Sequence, residues 1–138
     1  MKYYFMDILA CPVCKAHGKD LLLYPIETRE EDIDVDIESV RCKSYCSYLG
    51  REASQVGIET CRKCSKIRIV TGIIICLKCG RWYPIIDEIP VMLDDKFRDD
   101  KLYAGFLRKY WDRIPSSIKE KMRNPNPQTL LERTPGEE

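Results

Sequence analysis

Cysteine pairs at metal-ligand spacing constrain this chain more than any other feature. Cys11 and Cys14 form a Cys-x-x-Cys doublet, and Cys76 and Cys79 form another, which Gly80 follows. The two-residue gap allows a tight turn to direct both thiolates at one ion, and glycine tolerates the positive φ of such a turn. Reduced cysteines that only pack in a core seldom recur as such doublets. The sequence therefore predicts a metal site with thiolate ligands.

The remaining four of the eight cysteines lie between these doublets, at Cys42, Cys46, Cys61 and Cys64. Four doublets can share two tetrahedral sites in three ways, and spacing does not choose among them. The gap between Cys42 and Cys46 is less regular than the others. This second set can therefore hold a zinc ion, form two disulfides or stay free.

Length and charge exclude several classes of protein. The chain has 138 residues, a formal net charge of +1 and 33% charged residues, so bulk electrostatics do not predict a binder of polyanions. The N-terminus lacks the apolar core and cleavage site of a signal peptide, and no apolar run approaches the length of a membrane span. We expect a cytoplasmic protein, in which cysteine doublets act as metal ligands before they act as disulfides.

The first third of the chain predicts a short helix and then strands. Phe5, Ile8 and Leu9 recur at helical spacing just before the first doublet. Residues 19–26 are typical of a strand that leads away from it. In residues 27–38, Ile and Val alternate with acidic residues, which predicts a further strand with an acidic face.

The middle of the chain predicts more strands around the second doublet. Residues 67–76 are β-branched almost throughout and predict two strands broken at Gly72. Residues 81–93 predict a strand pair. Because Pro84 and Pro90 cannot donate to a regular ladder, we expect this segment at an edge or turn of the sheet.

From Asp94 the pattern becomes helical, and Pro115 ends or kinks the helix. Its apolar face contains Leu102, Tyr103, Phe106, Leu107, Tyr110, Trp111 and Ile114. A face this apolar does not remain in water, so we expect it to pack on the sheet or on the insertion.

Together these patterns predict an α+β fold. It consists of a small zinc-ribbon-like antiparallel sheet with a short N-terminal helix, a cysteine-bearing insertion and a C-terminal helix. The predicted divisions are a discontinuous zinc-binding module at 1–26 and 69–98, an inserted subdomain at 27–68, a helical segment at 99–123 and a polar tail at 124–138.

The two ends of the predicted zinc module carry a longer pattern, FMDILACPVCK at 5–15 and IIICLKCGRWYPIIDEIPVMLDD at 73–95. Its motif residues are Leu9, Cys11, Pro12, Cys14, Lys15, Cys76, Cys79, Tyr83, Pro84, Ile85, Asp87, Ile89, Pro90, Val91 and Leu93. This pattern resembles the Trm-type multifunctional methyltransferase activator subunits and their short bacterial relatives. The resemblance reaches neither the insertion nor the C-terminal helix.

The resemblance implies a non-catalytic zinc-binding subunit that forms a heterodimer with class I SAM-dependent methyltransferases acting on tRNA, rRNA or a translation release factor. It joins the terminal doublets in one zinc site, at Cys11, Cys14, Cys76 and Cys79, and leaves the second set, Cys42, Cys46, Cys61 and Cys64, for a second zinc site. The docking residues it implies are Phe5, Ile8, Ile85, Ile89, Pro90, Val91, Met92 and Leu93. An apolar edge strand aggregates unless it is covered, and strand addition by a partner covers it.

The chain departs from the family pattern at one turn. The family has Gly after the Asp of its Tyr-Pro-Ile-x-Asp-Gly turn, whereas Glu88 follows Asp87 here. A positive φ at that position costs a Glu about 1 kcal/mol or more. We therefore expect either a different turn or a strained Glu88.

The residues leave one alternative function open and argue against catalysis. A nucleic-acid-binding zinc-ribbon protein would use the basic run at 41–68, with Trp82, Tyr45 and Tyr48 as stacking surfaces. An enzyme is disfavoured, because His17 is the one histidine and a site with four cysteine ligands has no open position for water.

Overall fold

A computed structural model describes residues 1–123 of the chain. The predicted polar tail at 124–138 lies outside the described residues. The strands are β1 (Leu21–Glu30), β2 (Tyr45–Cys46), β3 (Arg51–Glu52), β4 (Ile67–Cys76), β5 (Trp82–Ile86) and β6 (Ile89–Pro90). The α-helices are α1 (Ile37–Val40), α2 (Ile58–Ser65), α3 (Asp100–Tyr110) and α4 (Ser116–Lys119). Short 3-10 helices span Tyr3–Ile8, Gly18–Asp20, Ala53–Gln55 and Trp111–Arg113.

The main sheet is antiparallel and, within residues 1–123, contains four strands in the order β1-β4-β5-β6. The long strands β1 and β4 pair from Leu21 and Cys76 to Glu30 and Ile67, past the predicted module boundaries at 26 and 69. The strands β2 and β3 form a separate hairpin in the insertion. The sheet with its short N-terminal helix, insertion and C-terminal helix confirms the predicted α+β class.

The predicted break at Gly72 is wrong, because β4 runs without interruption from Ile67 to Cys76. A Cβ atom on Gly72 would lie 2.8 Å from the backbone oxygen of Tyr24 on the neighbouring strand. Glycine is therefore needed here for the close approach of two strands, and it does not mark a turn.

The predicted strand over residues 27–38 is only partly correct. Residues 27–30 complete β1, but residues 31–36 have no regular structure and Ile37–Val40 form α1. The Asp36 side chain accepts the N–H of Glu38 and so caps this helix. A local cap therefore outweighs the alternating pattern.

The edge position predicted for Pro84 is wrong, because β5 lies inside the sheet between β4 and β6. The nitrogen of Pro84 cannot donate to the neighbouring strand. Val91, which directly follows β6, donates its N–H to the Pro84 carbonyl at 2.8 Å, and its carbonyl accepts the hydroxyl of Tyr103 at 3.3 Å. The tyrosine thus supplies the donor that the proline lacks.

Each face of the sheet has its own core. The first, beside the N-terminal 3-10 helix, includes Met6, Cys11, Leu21, Leu23, Ile69, Ile74, Tyr83 and Ile85. The second, beneath α3, includes Ile73, Ile75, Trp82, Tyr103, Ala104, Phe106 and Leu107. Ile69 and Ile74 share a face despite their odd separation, because the register of β1 and β4 shifts between Pro25 and Thr28. The second core confirms that the C-terminal helix packs on the sheet.

None of the helices in residues 1–123 has the length and apolar content that a bilayer crossing requires.

Candidate metal centre and docking edge

The terminal doublets meet in space and form one cluster. Their four sulfur atoms all lie within 4.8 Å of one another. The Sγ atoms of Cys11 and Cys79 are 3.8 Å apart, and those of Cys14 and Cys76 are 3.3 Å apart. Four thiolates at this spacing are a donor set that suits a tetrahedral metal ion, so the cluster can hold one.

The two halves of the cluster are equivalent turns. The N–H of Lys15 donates to the carbonyl of Cys11 at 2.9 Å, and the N–H of Gly80 donates to the carbonyl of Cys76 at 2.8 Å. Lys15 and Gly80 also share the left-handed conformation, with φ of 66° and 76°. The first turn leads to β1 and the second ends β4, and these strands pair with each other. Strand pairing therefore brings together two turns that are far apart in sequence.

The cationic side chains that flank the doublets differ in how directly they reach the cluster. Arg81 donates to the carboxylate of Asp95 at 2.7 and 3.0 Å, and a further hydrogen bond to Cys79 helps to raise its pKa. Lys78 lies 3.8 Å from Asp20, and Lys15 donates to a backbone oxygen of its own turn. Of the three residues that flank the doublets, Arg81 therefore has the most direct effect on a bound thiolate.

The thiols of the cluster differ in their readiness to ionise. Burial opposes ionisation of Cys11, but hydrogen bonds from the Cys14 backbone and the Tyr83 hydroxyl outweigh it and lower its pKa to about 6. Burial, with hydrogen bonds to the thiols of Cys14 and Cys79, raises the pKa of Cys76 to about 12. Thiolates this close repel one another, and a divalent cation removes that repulsion.

The second cysteine set gathers in the insertion. Cys42, Cys46, Cys61 and Cys64 line one small cavity of about 20 Å³, together with Tyr4, Val40, Ala53, Val56 and Thr60. In the described residues, only the first cluster brings all its sulfur atoms within 4.8 Å. Burial, followed by the charge of Asp7, raises the pKa of Cys42 to about 11, and burial raises that of Cys64 to about 12. This grouping agrees with the predicted pairing of Cys42 and Cys46 with Cys61 and Cys64. Whether the set holds a metal ion stays a prediction.

Asp7 connects the N-terminal 3-10 helix to this second set, a role that sequence reasoning missed. Its carboxylate accepts the backbone N–H groups of Lys43 at 2.9 Å and Tyr45 at 2.9 Å, and that of Ser44 at 3.3 Å. These donors belong to the turn between Cys42 and Cys46. A lone acid in a short helix gives no sequence signal for such a contact, because its partners lie far along the chain.

Exposed apolar side chains lie on the N-terminal 3-10 helix, on the edge strand β6 and in the residues after β6. Ile89 is 64% exposed and Leu93 is 42% exposed, while Ile8 is 74% and Phe5 39% exposed. Phe97 is 69% exposed and was missed from sequence, because it stands alone among charged residues. Isolated surface apolar residues are common, but an exposed apolar side chain on an edge strand, such as Ile89 on β6, is typical of a surface that a partner covers.

The structure separates the other residues implied for docking by their burial. Ile85 has no exposed surface and belongs to the first core, so its side chain is not available to a partner. Met92 packs against that same core, and Val91 packs against the core beneath α3. Pro90 is half-buried. Strand alternation explains the result, because a two-faced sheet turns successive side chains to opposite cores.

The turn at Glu88 keeps the conformation that the family fills with glycine. Asp87 and Glu88 have φ of 48° and 70°, as a two-residue hairpin turn between β5 and β6 requires. The Glu88 carboxylate accepts the Nε of Arg68 at 2.6 Å, and it also lies near the N-terminal ammonium group. Glu88 is therefore a strained residue held by ionic contacts, which is the second of the two expected outcomes.

The structure gives little support to nucleic-acid stacking. Trp82 is fully buried beneath α3, with its ring centre 4.9 Å from that of Tyr103, so its predicted role as a stacking surface is wrong. Tyr48 packs edge-on against Tyr3, and Tyr45 is half-buried. His17 is exposed on the loop after the first doublet.

Comparison with known proteins adds evidence independent of this geometry. A family model described as Trm112p-like protein matches residues 2–88. The comparison with curated proteins gives no match. Among solved structures, the chain is similar to one from the E. cuniculi Mtq2-Trm112 complex, described as responsible for methylation of the eRF1 translation termination factor. That match has 24% identity and a TM-score of 0.49, and it covers 68% of this chain and 96% of the other.

Proposed function

Because the chain belongs to the Trm112p-like family, whose members are activating subunits of methyltransferases, we propose that it docks on a class I SAM-dependent methyltransferase through β6. The subunit itself is non-catalytic. The observation that carries the proposal is the exposure of large apolar side chains on and after the edge strand β6 and on the N-terminal 3-10 helix. They are Phe5, Ile8, Ile89, Leu93 and Phe97, and we call this set the docking edge.

The two edges of the main sheet are unequally open to a partner strand. At the β1 edge, Arg113 donates to the backbone oxygen of Ile26 at 2.7 Å, and the Tyr24 hydroxyl donates to the Arg113 carbonyl at 3.3 Å. The C-terminal segment thus covers part of β1. Within residues 1–123, the outer side of β6 carries no neighbouring strand. We therefore place the partner at β6.

The main chain of β6 offers a limited set of hydrogen bonds. Val91 uses its N–H and carbonyl inside the subunit, on Pro84 and Tyr103. If the extended backbone of β6 continues through the two residues after it, the main-chain groups of Pro90 and Met92 would point outward, because such groups alternate along a strand. Pro90 has no N–H, so a partner strand would pair with its carbonyl and with both groups of Met92. The exposed apolar side chains of the docking edge would then supply most of the binding energy.

We propose zinc as the ion in the first cluster. Cys11 and Cys76 are buried, Cys79 is half-buried and Cys14 is exposed. Four thiolates in a closed tetrahedral set favour zinc over oxygen-preferring cations, and they leave no position for a catalytic water. Bound there, the ion would join the turn before β1 to the turn after β4. Folding of the module would then depend on the metal, as in other small structural zinc sites.

We propose that the partner enzyme methylates a component of translation, namely tRNA, rRNA or a release factor, as the family resemblance implies. The subunit would supply cover for an apolar surface of the enzyme and add no catalytic group. Enzyme without the subunit would expose that surface and aggregate. Loss of the subunit would therefore lower methyl transfer by lowering the amount of intact complex. The catalytic groups of the enzyme itself would be unchanged.

A pull-down with the full chain as bait tests the proposal. The matched control bait carries Ile89→Asp and Leu93→Asp, which alter the docking edge and leave both cores intact. We expect mass spectrometry to identify a SAM-dependent methyltransferase enriched on the unmodified bait alone. Co-expression of that enzyme with the chain should give a heterodimer on size exclusion. Equal capture of the same proteins by both baits would contradict the proposed surface.

A further inference from the structure

The insertion contains a small cavity whose lining includes four cysteines. Its volume is about 20 Å³, and four sulfur-bearing side chains reach it. A volume of that order holds one water-sized sphere. The other lining residues are mainly apolar, which would shield thiolates from water and favour a firmly held soft cation.

Local structure delivers the four cysteines from two directions. Cys61 and Cys64 lie three residues apart on α2, so their side chains share one face of that helix. Cys46 ends β2, and Cys42 lies at the start of the turn before it. The hairpin of β2 and β3 connects the turn to the helix. Together with Tyr4 of the N-terminal 3-10 helix, Val40 of α1, Ala53 and Val56, these cysteine-bearing segments enclose the cavity, and none of its lining residues belongs to the main sheet.

The turn is held in place by contacts outside the cysteine set. Asp7 accepts two of its backbone N–H groups at 2.9 Å, from Lys43 and Tyr45. The rings of Tyr3 and Tyr48 pack edge-on with centres 5.0 Å apart. Such outer contacts orient metal ligands in structural sites, and they lower the entropy lost when an ion binds.

We propose that Cys42, Cys46, Cys61 and Cys64 form a second structural zinc centre, separate from the first cluster, that closes the insertion on itself. The sulfur atoms would move inward to the usual Zn–S distance of about 2.3 Å. Each thiol would bind as a thiolate, and its proton would pass to solvent. The second centre would also fix the N-terminal 3-10 helix through Asp7. This inference stands whether or not the docking edge is correct.

Metal analysis of the purified full chain tests the second centre. We expect two zinc ions per chain by elemental analysis. After exchange with cadmium, we expect two ¹¹³Cd resonances, both in the range of ions with four thiolate ligands. This measurement needs no variant, so it decides the question even if substitutions at the cysteines prevent folding. One ion per chain, or one resonance, would overturn the inference.

Paired variants assign the second ion to its ligands. The double substitution Cys42→Ser and Cys61→Ser should remove one ion per chain and one cadmium resonance, while the first cluster keeps its own. The control Ser44→Ala changes the same turn without touching a sulfur atom, and it should keep both ions. Disulfides among these four cysteines in protein purified without a reducing agent would contradict the metal site, as would their rapid alkylation by a maleimide in the folded chain.

Discussion

The hydroxyl oxygen of Tyr83 lies 3.2 Å from the Sγ of Cys11, in the buried floor of the first cluster. With the thiolate form of Cys11, the tyrosine is the donor. Hydrogen bonds to a ligating sulfur stabilise its charge and fix its direction, and their loss commonly costs about 10- to 100-fold in metal affinity. Tyr83 is therefore part of the candidate metal site, although it is not one of its four cysteine ligands.

The first prediction follows from this contact. Tyr83→Phe should weaken zinc binding at the first cluster by about tenfold, measured by competition with a chelator of known affinity. The ring remains in the core, so the fold should persist. Tyr24→Phe is the matched control, because its hydroxyl donates to the carbonyl of Arg113 at the far edge of the sheet. Equal affinities for Tyr83→Phe and wild type would remove the hydroxyl from the site.

The second prediction concerns the close approach of β1 and β4 at Gly72. A Cβ atom there would lie 2.8 Å from the backbone oxygen of Tyr24 and 3.3 Å from the Cα of Pro25. Gly72→Ala must therefore push two paired strands apart, and we expect a loss of about 1–3 kcal/mol in the free energy of unfolding. Chemical denaturation measures this change.

Gly105→Ala is the control for that substitution. Gly105 lies on the exposed side of α3, and nothing approaches within 4 Å of a Cβ atom built there. Alanine favours a helix interior by roughly 0.5–1 kcal/mol over glycine, so this variant should gain stability. A Gly72→Ala protein as stable as wild type would mean that the strands adjust at little cost.

Much of the candidate metal site could be predicted, because its signal is local in sequence. The Cys-x-x-Cys spacing of Cys11 and Cys14, repeated at Cys76 and Cys79, specifies two ligand-bearing turns without knowledge of the fold. The pairing of these doublets came from the longer motif around them. The strand register then places the two turns side by side.

The errors arise where a distant contact decides the outcome. Gly72 resembles a strand break until the carbonyl of Tyr24 is placed beside it. Pro84 resembles an edge residue until the hydroxyl of Tyr103 is seen to replace its donor at Val91. Periodicity also could not tell that Ile85 faces a core, because a sheet with two covered faces buries both sets of side chains.

The third prediction is a pH dependence at Glu88. Its contact with Arg68 holds the pKa of the carboxyl below its ordinary value of 4.5. A carboxyl whose pKa is lower in the folded state stabilises the fold at pH values above its unfolded pKa, and this contribution is lost as the pH falls through the folded pKa. Glu88→Gln should therefore melt at a lower temperature than wild type at pH 7, and the gap should close in acid.

Glu52→Gln serves as the control for Glu88, because Glu52 is exposed on the hairpin of the insertion. Its melting temperature should follow that of wild type at every pH. Glu88→Gln removes the charge and keeps the strained backbone, whereas Glu88→Gly removes the ionic contact and also relieves the positive φ. The difference in melting temperature between these two variants therefore reports the strain. A constant gap between wild type and Glu88→Gln from neutral pH to acid would show that the carboxylate charge is not involved.

The fourth prediction tests the docking edge with substitutions that spare the fold. Ile89→Asp and Leu93→Asp each place a charge where a partner would bury an apolar side chain, and each should weaken association by at least about 2 kcal/mol, or roughly 30-fold. Val91 and Met92 are unsuitable, because they pack against the cores. Ile33→Asp is the control, since Ile33 is 39% exposed in the insertion. Size exclusion after co-expression with the methyltransferase should show loss of the complex for the first two variants only. Methylation should fall in parallel while the zinc content stays constant, and normal complex with normal activity for both variants would exclude this edge as the interface.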